Sequence, residues 1–149
     1  MTTIAYRDGI IAADTGATFG GTQLARVTKI ANNPAGNVTG GSGDARWCGE
    51  FLDWFASGEN GSPPVQIDKD MTSVAMVARM RSHEIRMFES TNGKTGSFVI
   101  RAPYYAIGSG RGEALGAMWA GKSAAEAVAA AIALDEGTFG EIETRCFCT

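Results

Sequence analysis

Apolar residues fall in short runs between glycine-rich turns over most of this chain, and at three- and four-residue spacing only after Asp44 and after Gly110. Thr3–Tyr6 and Ile10–Ala13 flank Arg7-Asp8-Gly9, which predicts a tight hairpin at the start. A three-residue loop with Gly9 left-handed sets Thr2 opposite Asp14, whereas a two-residue Asp8-Gly9 turn pairs Thr3 with Asp14. Either register leaves Asp14 beside the N-terminus. Gln23–Ile30 reads as a further strand, closed by the turn Asn32-Asn33-Pro34-Ala35-Gly36 before a short run ending at Gly40-Gly41. From Asp44, a helix N-cap, the residues Trp47, Cys48, Phe51, Leu52 and Phe55 trace one face of an amphipathic helix that Gly58–Pro64 ends. Trp47, Phe51, Trp54 and Phe55 are then core or subunit contacts. Thr72–Met80, Glu84–Phe88, Ser97–Arg101 and Tyr104–Ile107 form a second group of strands in meandering antiparallel pairs, with Asn92-Gly93 as a turn. Alanine-rich sequence after Gly108-Ser109-Gly110 predicts two helices from Glu113 to Leu134, separated by Gly121, with Ser123 and Glu126 as a capping box. Without a βαβ rhythm, this order points to an α+β fold with helices on layered antiparallel sheets.

Composition narrows the function classes. A chain of 149 residues fits one domain, 1–149, and 44% hydrophobic against 19% charged residues is globular rather than disordered. The formal charge is -3 and the basic residues are scattered, so neither nucleic acid nor an anionic membrane is an expected partner. No apolar run approaches the ~18 residues of a membrane-spanning helix, and no basic-then-apolar leader opens the chain, so a cytoplasmic location is expected. Cys146 and Cys148 are too close for a zinc knuckle and the third cysteine is Cys48, so reduced thiols, with no metal and no cofactor, are expected. The sequon Asn37-Val38-Thr39 matters only in a secreted chain.

Three motif matches fail their context. Gly116-Ala-Met-Trp-Ala-Gly121-Lys122-Ser123 fits a phosphate-binding loop, but its residues are helix formers with Met118 and Trp119 where small residues are needed. Gly108-x-Gly110 lacks the third glycine of a dinucleotide fingerprint, where Glu113 stands. Ser109 lacks the first glycine of a nucleophile elbow, its place taken by Ile107. The single histidine, His83, lies in a charged segment between strands, which leaves no base for a serine or cysteine triad.

Thr2 needs no histidine. Once Met1 is removed, it carries a hydroxyl nucleophile and a free α-amine, whose reference pKa of about 7.7–8.0 lets the neutral amine act as a general base. A neighbouring lysine lowers that amine's proton affinity, and an aspartate holds the lysine; Lys29 and Asp14 are the candidates. Taken singly, these are an ordinary strand threonine and a surface ion pair. Taken in order with the glycine-rich turns, they point to an active site.

Thr2-Thr3-Ile4-Ala5, Asp8-Gly9-Ile10-Ile11-Ala12-Ala13-Asp14, Thr28-Lys29-Ile30, Gly40-Gly41-Ser42-Gly43-Asp44 and Ala106-Ile107-Gly108-Ser109-Gly110 together resemble proteasome β-subunits and their bacterial HslV-type relatives, in a short bacterial or phage-type form. The resemblance spans nearly the whole chain. It implies a four-layer αββα N-terminal nucleophile (Ntn) hydrolase sandwich of two antiparallel sheets flanked by helices. It also implies a threonine peptidase in which Thr2 is nucleophile and base, Asp14 and Lys29 its electrostatic support, and Gly40 the backbone donor to the oxyanion. Ser109 matches a serine that positions the amine and a water, and Asp135 and Thr138 match a supporting aspartate and hydroxyl. Peptides or unfolded proteins are the implied substrates, with a homo-oligomeric ring and an ATP-dependent unfoldase as implied partners. The chain departs from the family in a shortened first hairpin and between Ala56 and Met71, where the family carries more helix. Competing readings are a small-molecule amidase of the same fold and a catalytically idle assembly protein that keeps Met1.

Overall fold

The structure is a computed structural model that describes residues 1–24 and 26–147; Cys148, half of the C-x-C pair, lies outside them. The opening hairpin consists of β1 (Thr3–Arg7) and β2 (Ile10–Asp14), which pair Arg7 with Ile10 and Ile4 with Ala13. Asp8 and Gly9 both have positive φ, 53° and 77°, as a two-residue type I′ turn requires. The register therefore runs on to Thr3 opposite Asp14, the second of the two pairings that the sequence allows.

The single strand expected over Gln23–Ile30 is replaced by a short hairpin and a separate strand. Gly20 and Gly21, at φ 58° and 81°, reverse the chain between β3 (Ala17–Phe19) and β4 (Thr22–Leu24), and β5 (Ile30–Asn32) starts only after residues 26–29, which form no regular element. β6 (Val38–Ser42) pairs with β5 and leads to α1 (Ala45–Ala56), whose N-cap Asp44 accepts the Trp47 N–H at 2.9 Å. Strands β7 (Ser73–Ala78), β8 (Glu84–Thr91) and β9 (Lys94–Arg101) form the expected meander, but β10 (Tyr104–Gly108) leaves it and pairs with β1. Burial decides that choice: β10 carries Ala106 and Ile107 into the cores on either side of β1. Helices α2 (Arg111–Trp119) and α3 (Ala124–Leu134) follow, with the capping box between Ser123 and Glu126 formed in both directions. A strand that the sequence pattern did not reveal, β11 (Ile142–Cys146), closes the first sheet against β2.

The antiparallel sheets have the strand orders β10-β1-β2-β11 and β5-β6-β7-β8-β9, beside the small β3-β4 ribbon. Three apolar clusters define four layers. Ile4, Tyr6, Ile11, Met76 and Ile85 fill the space between the sheets. Ala5, Ala12 and Ala106 meet Met118, Ala127 and Val128 of α2 and α3 on the far side of the first sheet. Trp47, Phe51 and Phe55 of α1 cover Ala75, Val77 and Phe88 of the second. β1 is covered on both faces, so its pattern alternates large with small rather than apolar with polar. The fold is α+β in the order αββα. Among the described residues no helix is long and apolar enough to cross a membrane.

Candidate active site

Thr2 directly precedes β1, and its backbone is fixed from the opposite strand. The N–H of Ser109 donates to the Thr2 carbonyl at 2.8 Å, and the Ser109 hydroxyl approaches the same oxygen at 3.4 Å. A Cβ on Gly108 would overlap that carbonyl, and Gly108 has φ 100°, so only glycine fits this crossing. Thr2 is largely buried, yet it borders two clefts, of about 660 and 430 Å³, which share Met1, Thr2, Gly43 and Met71. Its hydroxyl makes no hydrogen bond among the described residues.

Beneath Thr2 lies a buried ion pair. Asp14 is 0% exposed and Lys29 8%, and Lys29 Nζ donates to Asp14 Oδ2 at 3.0 Å. Two backbone donors complete the carboxylate's shell: Thr3 N–H at 2.9 Å on Oδ1, which the hairpin register delivers, and Phe139 N–H at 3.3 Å on Oδ2. Lys29 Nζ also donates to the carbonyl of Met1 at 3.1 Å, so the cation touches the peptide that joins Met1 to Thr2. Burial lowers the Lys29 ammonium below its ordinary value, opposed by the charge and hydrogen bond of Asp14.

On the other side of Thr2 a chain of hydroxyls leads to Asp135. Its Oδ2 accepts from Thr138 Oγ1 at 2.6 Å and from Ser109 Oγ at 2.7 Å, and Thr138 meets Thr3 Oγ1 at 2.6 Å. The Thr138 hydroxyl first, and Ser109 next, hold the Asp135 carboxyl below the ordinary carboxylate range, with a smaller contribution from the α-ammonium of Met1. The Met1 side chain sits over Gly137 in this loop, where an added Cβ would come within 2.6 Å of the Met1 Cβ. Thr2, Asp14, Lys29, Ser109, Asp135 and Thr138 are thus gathered at one end of the sandwich.

Gly40 is not part of that gathering. The Gly41 N–H donates to the Lys29 carbonyl at 3.2 Å, and N–H groups alternate sides along an antiparallel strand, so that of Gly40 faces β7 opposite Met76. A Cβ on Gly40 would lie 2.8 Å from Ile4 Cγ2, inside the core between the sheets. By the same alternation the Gly43 N–H lies on the Gly41 side, three residues beyond Gly40, the last residue of β6 that pairs with β5. It makes no hydrogen bond among the described residues, and Gly43 borders both clefts.

Cys48 lines the smaller cleft with its thiol pushed up to about 12, chiefly by burial, which keeps it neutral and a poor nucleophile near neutral pH. His83 lies at the opposite end of the sandwich, in a pocket beside Tyr6 and Arg101. Among the described residues no cluster of three or more His, Cys, Asp or Glu side chains could hold a metal ion.

No protein-family model matches the chain, and no curated protein matches it. Solved structures do. Anbu from Hyphomicrobium sp. strain MC1 superposes with a TM-score of 0.59 at 12% identity, covering 100% of this chain and 84% of that one. Anbu (ancestral beta-subunit) from Yersinia bercovieri superposes with a TM-score of 0.61 at 9% identity, covering 98% and 80% respectively. These findings correct the resemblance to proteasome β-subunits and HslV-type relatives, because the structures found are Anbu proteins, a distinct family, and identities this low carry the fold alone. The chain is thus a proteasome-like αββα sandwich, similar in fold to Anbu.

Proposed function

We propose that this chain hydrolyses peptide bonds with Thr2 as an N-terminal nucleophile, after Met1 and anything preceding it have been removed. The observation that carries the reading is the position of Thr2. Thr2, whose hydroxyl makes no hydrogen bond among the described residues, lines both clefts, and the peptide before it accepts a hydrogen bond from Lys29 of the buried Lys29–Asp14 pair. Release of Met1 turns the Thr2 amide into an amine that can take a proton, near the cation that now holds the Met1 carbonyl at 3.1 Å. Lys29 then lowers the amine's proton affinity, and Asp14 keeps Lys29 in place.

The neutral amine takes the Oγ proton, directly or through a water, while Oγ attacks the substrate carbonyl carbon. The oxygen of the tetrahedral intermediate collects negative charge, and we assign its backbone donor to Gly43 rather than Gly40. The ammonium returns the proton to the leaving amine as the C–N bond breaks, which leaves an ester on Thr2. Water, deprotonated by the same amine, cleaves that ester. Ser109, Asp135 and Thr138 orient the amine and the water, and the two clefts accept the substrate on either side of the scissile bond.

Intact-mass measurement joined to peptide turnover tests the reading. Chains that begin at Thr2 should cleave peptides and take up a threonine-directed electrophile, and Thr2→Ala should lose both while keeping its fold. Undiminished turnover in Thr2→Ala, or a turnover-competent preparation that wholly retains Met1, would overturn it. A wholly inert protein that retains Met1 would instead support the idle assembly reading.

A further inference from the structure

We infer that Ser73, the first residue of β7, is a positioning residue that fixes the Gly43–Asp44 turn and with it the Gly43 N–H; this rests on the hydrolase reading above. Ser42 pairs with Val74, so the next step in register sets Gly43 opposite Ser73. There the regular ladder stops. Gly43 turns to φ 126°, a value L side chains rarely adopt, and packs so closely that a Cβ would lie 2.6 Å from Ser73 Oγ and 2.7 Å from Ser73 Cα. Ser73 Oγ accepts the Asp44 N–H at 3.0 Å, just after this turn.

Ser73 is itself held from behind. It has no solvent exposure, and Gln66 Nε2 donates to its hydroxyl at 3.5 Å. Gln66 belongs to the helix-free segment between α1 and β7. That segment is tied to the β8–β9 hairpin by Gln66 N–H on Ser90 Oγ at 2.7 Å and by Gly93 N–H on the Gln66 carbonyl at 2.8 Å. The path from the β8–β9 hairpin through Gln66 and Ser73 thus reaches the turn that bears Gly43, which lines both clefts. Preorganised donors stabilise an oxyanion because they need no reorientation during reaction, so slack at Ser73 costs transition-state stabilisation and spares ground-state binding.

Ser73→Ala removes the acceptor without filling space, and two measurements on Met1-free protein test it. Amide hydrogen exchange should quicken at Asp44 while the rest of α1 keeps its protection. In kinetics kcat should fall roughly tenfold to hundredfold, short of the ~10²–10³ lost when an oxyanion donor is deleted, with KM unchanged. A peptide boronate, whose tetrahedral adduct places an oxygen where the oxyanion forms, should weaken by the same factor as kcat/KM. Ser73→Cys, which keeps a weak acceptor, should recover part of each loss. Unchanged Asp44 exchange would overturn the inference, as would quicker exchange with unchanged kcat and boronate affinity, or a rise in KM alone. If Ser73→Ala does not fold, Gln66→Leu gives the same test from one step further back, with smaller losses in the same order. Should the Met1-free wild type neither turn over peptides nor bind boronate, the hydrolase reading itself fails; Asp44 exchange in Ser73→Ala still reports whether Ser73 holds the turn, which separates the two failures.

Discussion

A carboxylate with no solvent contact must have its charge and its lone pairs met from within the protein, and Asp14 is met by Lys29, Thr3 N–H and Phe139 N–H. Asp14→Ala strands a buried ammonium and two backbone donors, and breaking a buried pair in this way costs about 3–5 kcal/mol. Urea unfolding of Asp14→Ala should show that loss, and the double variant Asp14→Leu/Lys29→Met should regain part of it. A loss below about 1 kcal/mol would mark the pair as behaving like a surface contact. Read from sequence alone, the same two residues passed equally well for an exposed ion pair. Solvent exposure is the property that separates the two readings, and it arises from the layers stacked around Asp14 rather than from anything local to it.

At the scale of elements, Gly40 and Gly41 are adjacent on β6 but face opposite layers. A Cβ on Gly40 would press on Ile4 and Ile30 between two sheets, whereas one on Gly41 would meet the Cys48 side chain at 3.3 Å. Gly40→Ala should therefore destabilise by about 1–3 kcal/mol, the range for overpacking a core, and Gly41→Ala by less. Thermal unfolding of the two variants measures the order, and a reversal would contradict the assigned faces. What the sequence revealed follows from the same distinction between near and far. The Asp8-Gly9 turn, the α1 stripe of Trp47, Phe51 and Phe55, and the Ser123–Glu126 box were legible because each is specified within a turn or two of chain. The departure of β10 from the meander and the existence of β11 were not, since both depend on partners far away in sequence. β11 also alternates half-buried with exposed residues, Glu143 and Arg145 among the half-buried ones, and so gives a weak apolar signal. The proposed assignment of the backbone donor to Gly43 instead of Gly40 has a similar origin: one pairing register decides which glycine amides are already engaged.

At the scale of the whole molecule, the outermost layer of helices leaves Trp119 82% and Leu134 73% exposed, at the ends of α2 and α3. Trp119 is a large apolar side chain held out in solvent, and we propose that copies of the chain associate through a contact that includes it. Sedimentation velocity should find species larger than one chain, and Trp119→Asp should reduce their share without changing secondary structure. A single chain at every concentration reached would remove assembly from the functional reading. The other end of the sandwich raises a separate matter of interpretation. Met1 is 72% exposed, yet its carbonyl accepts a hydrogen bond from Lys29 and its side chain lies beside Gly137, in the loop that also carries Asp135 and Thr138. On the proposed hydrolase reading, maturation and turnover share one set of contacts, and a substitution in the loop acts on two clocks at once: how fast the first residue departs, and how fast peptides are cleaved afterwards. A sluggish variant there is uninterpretable until its N-terminus has been weighed.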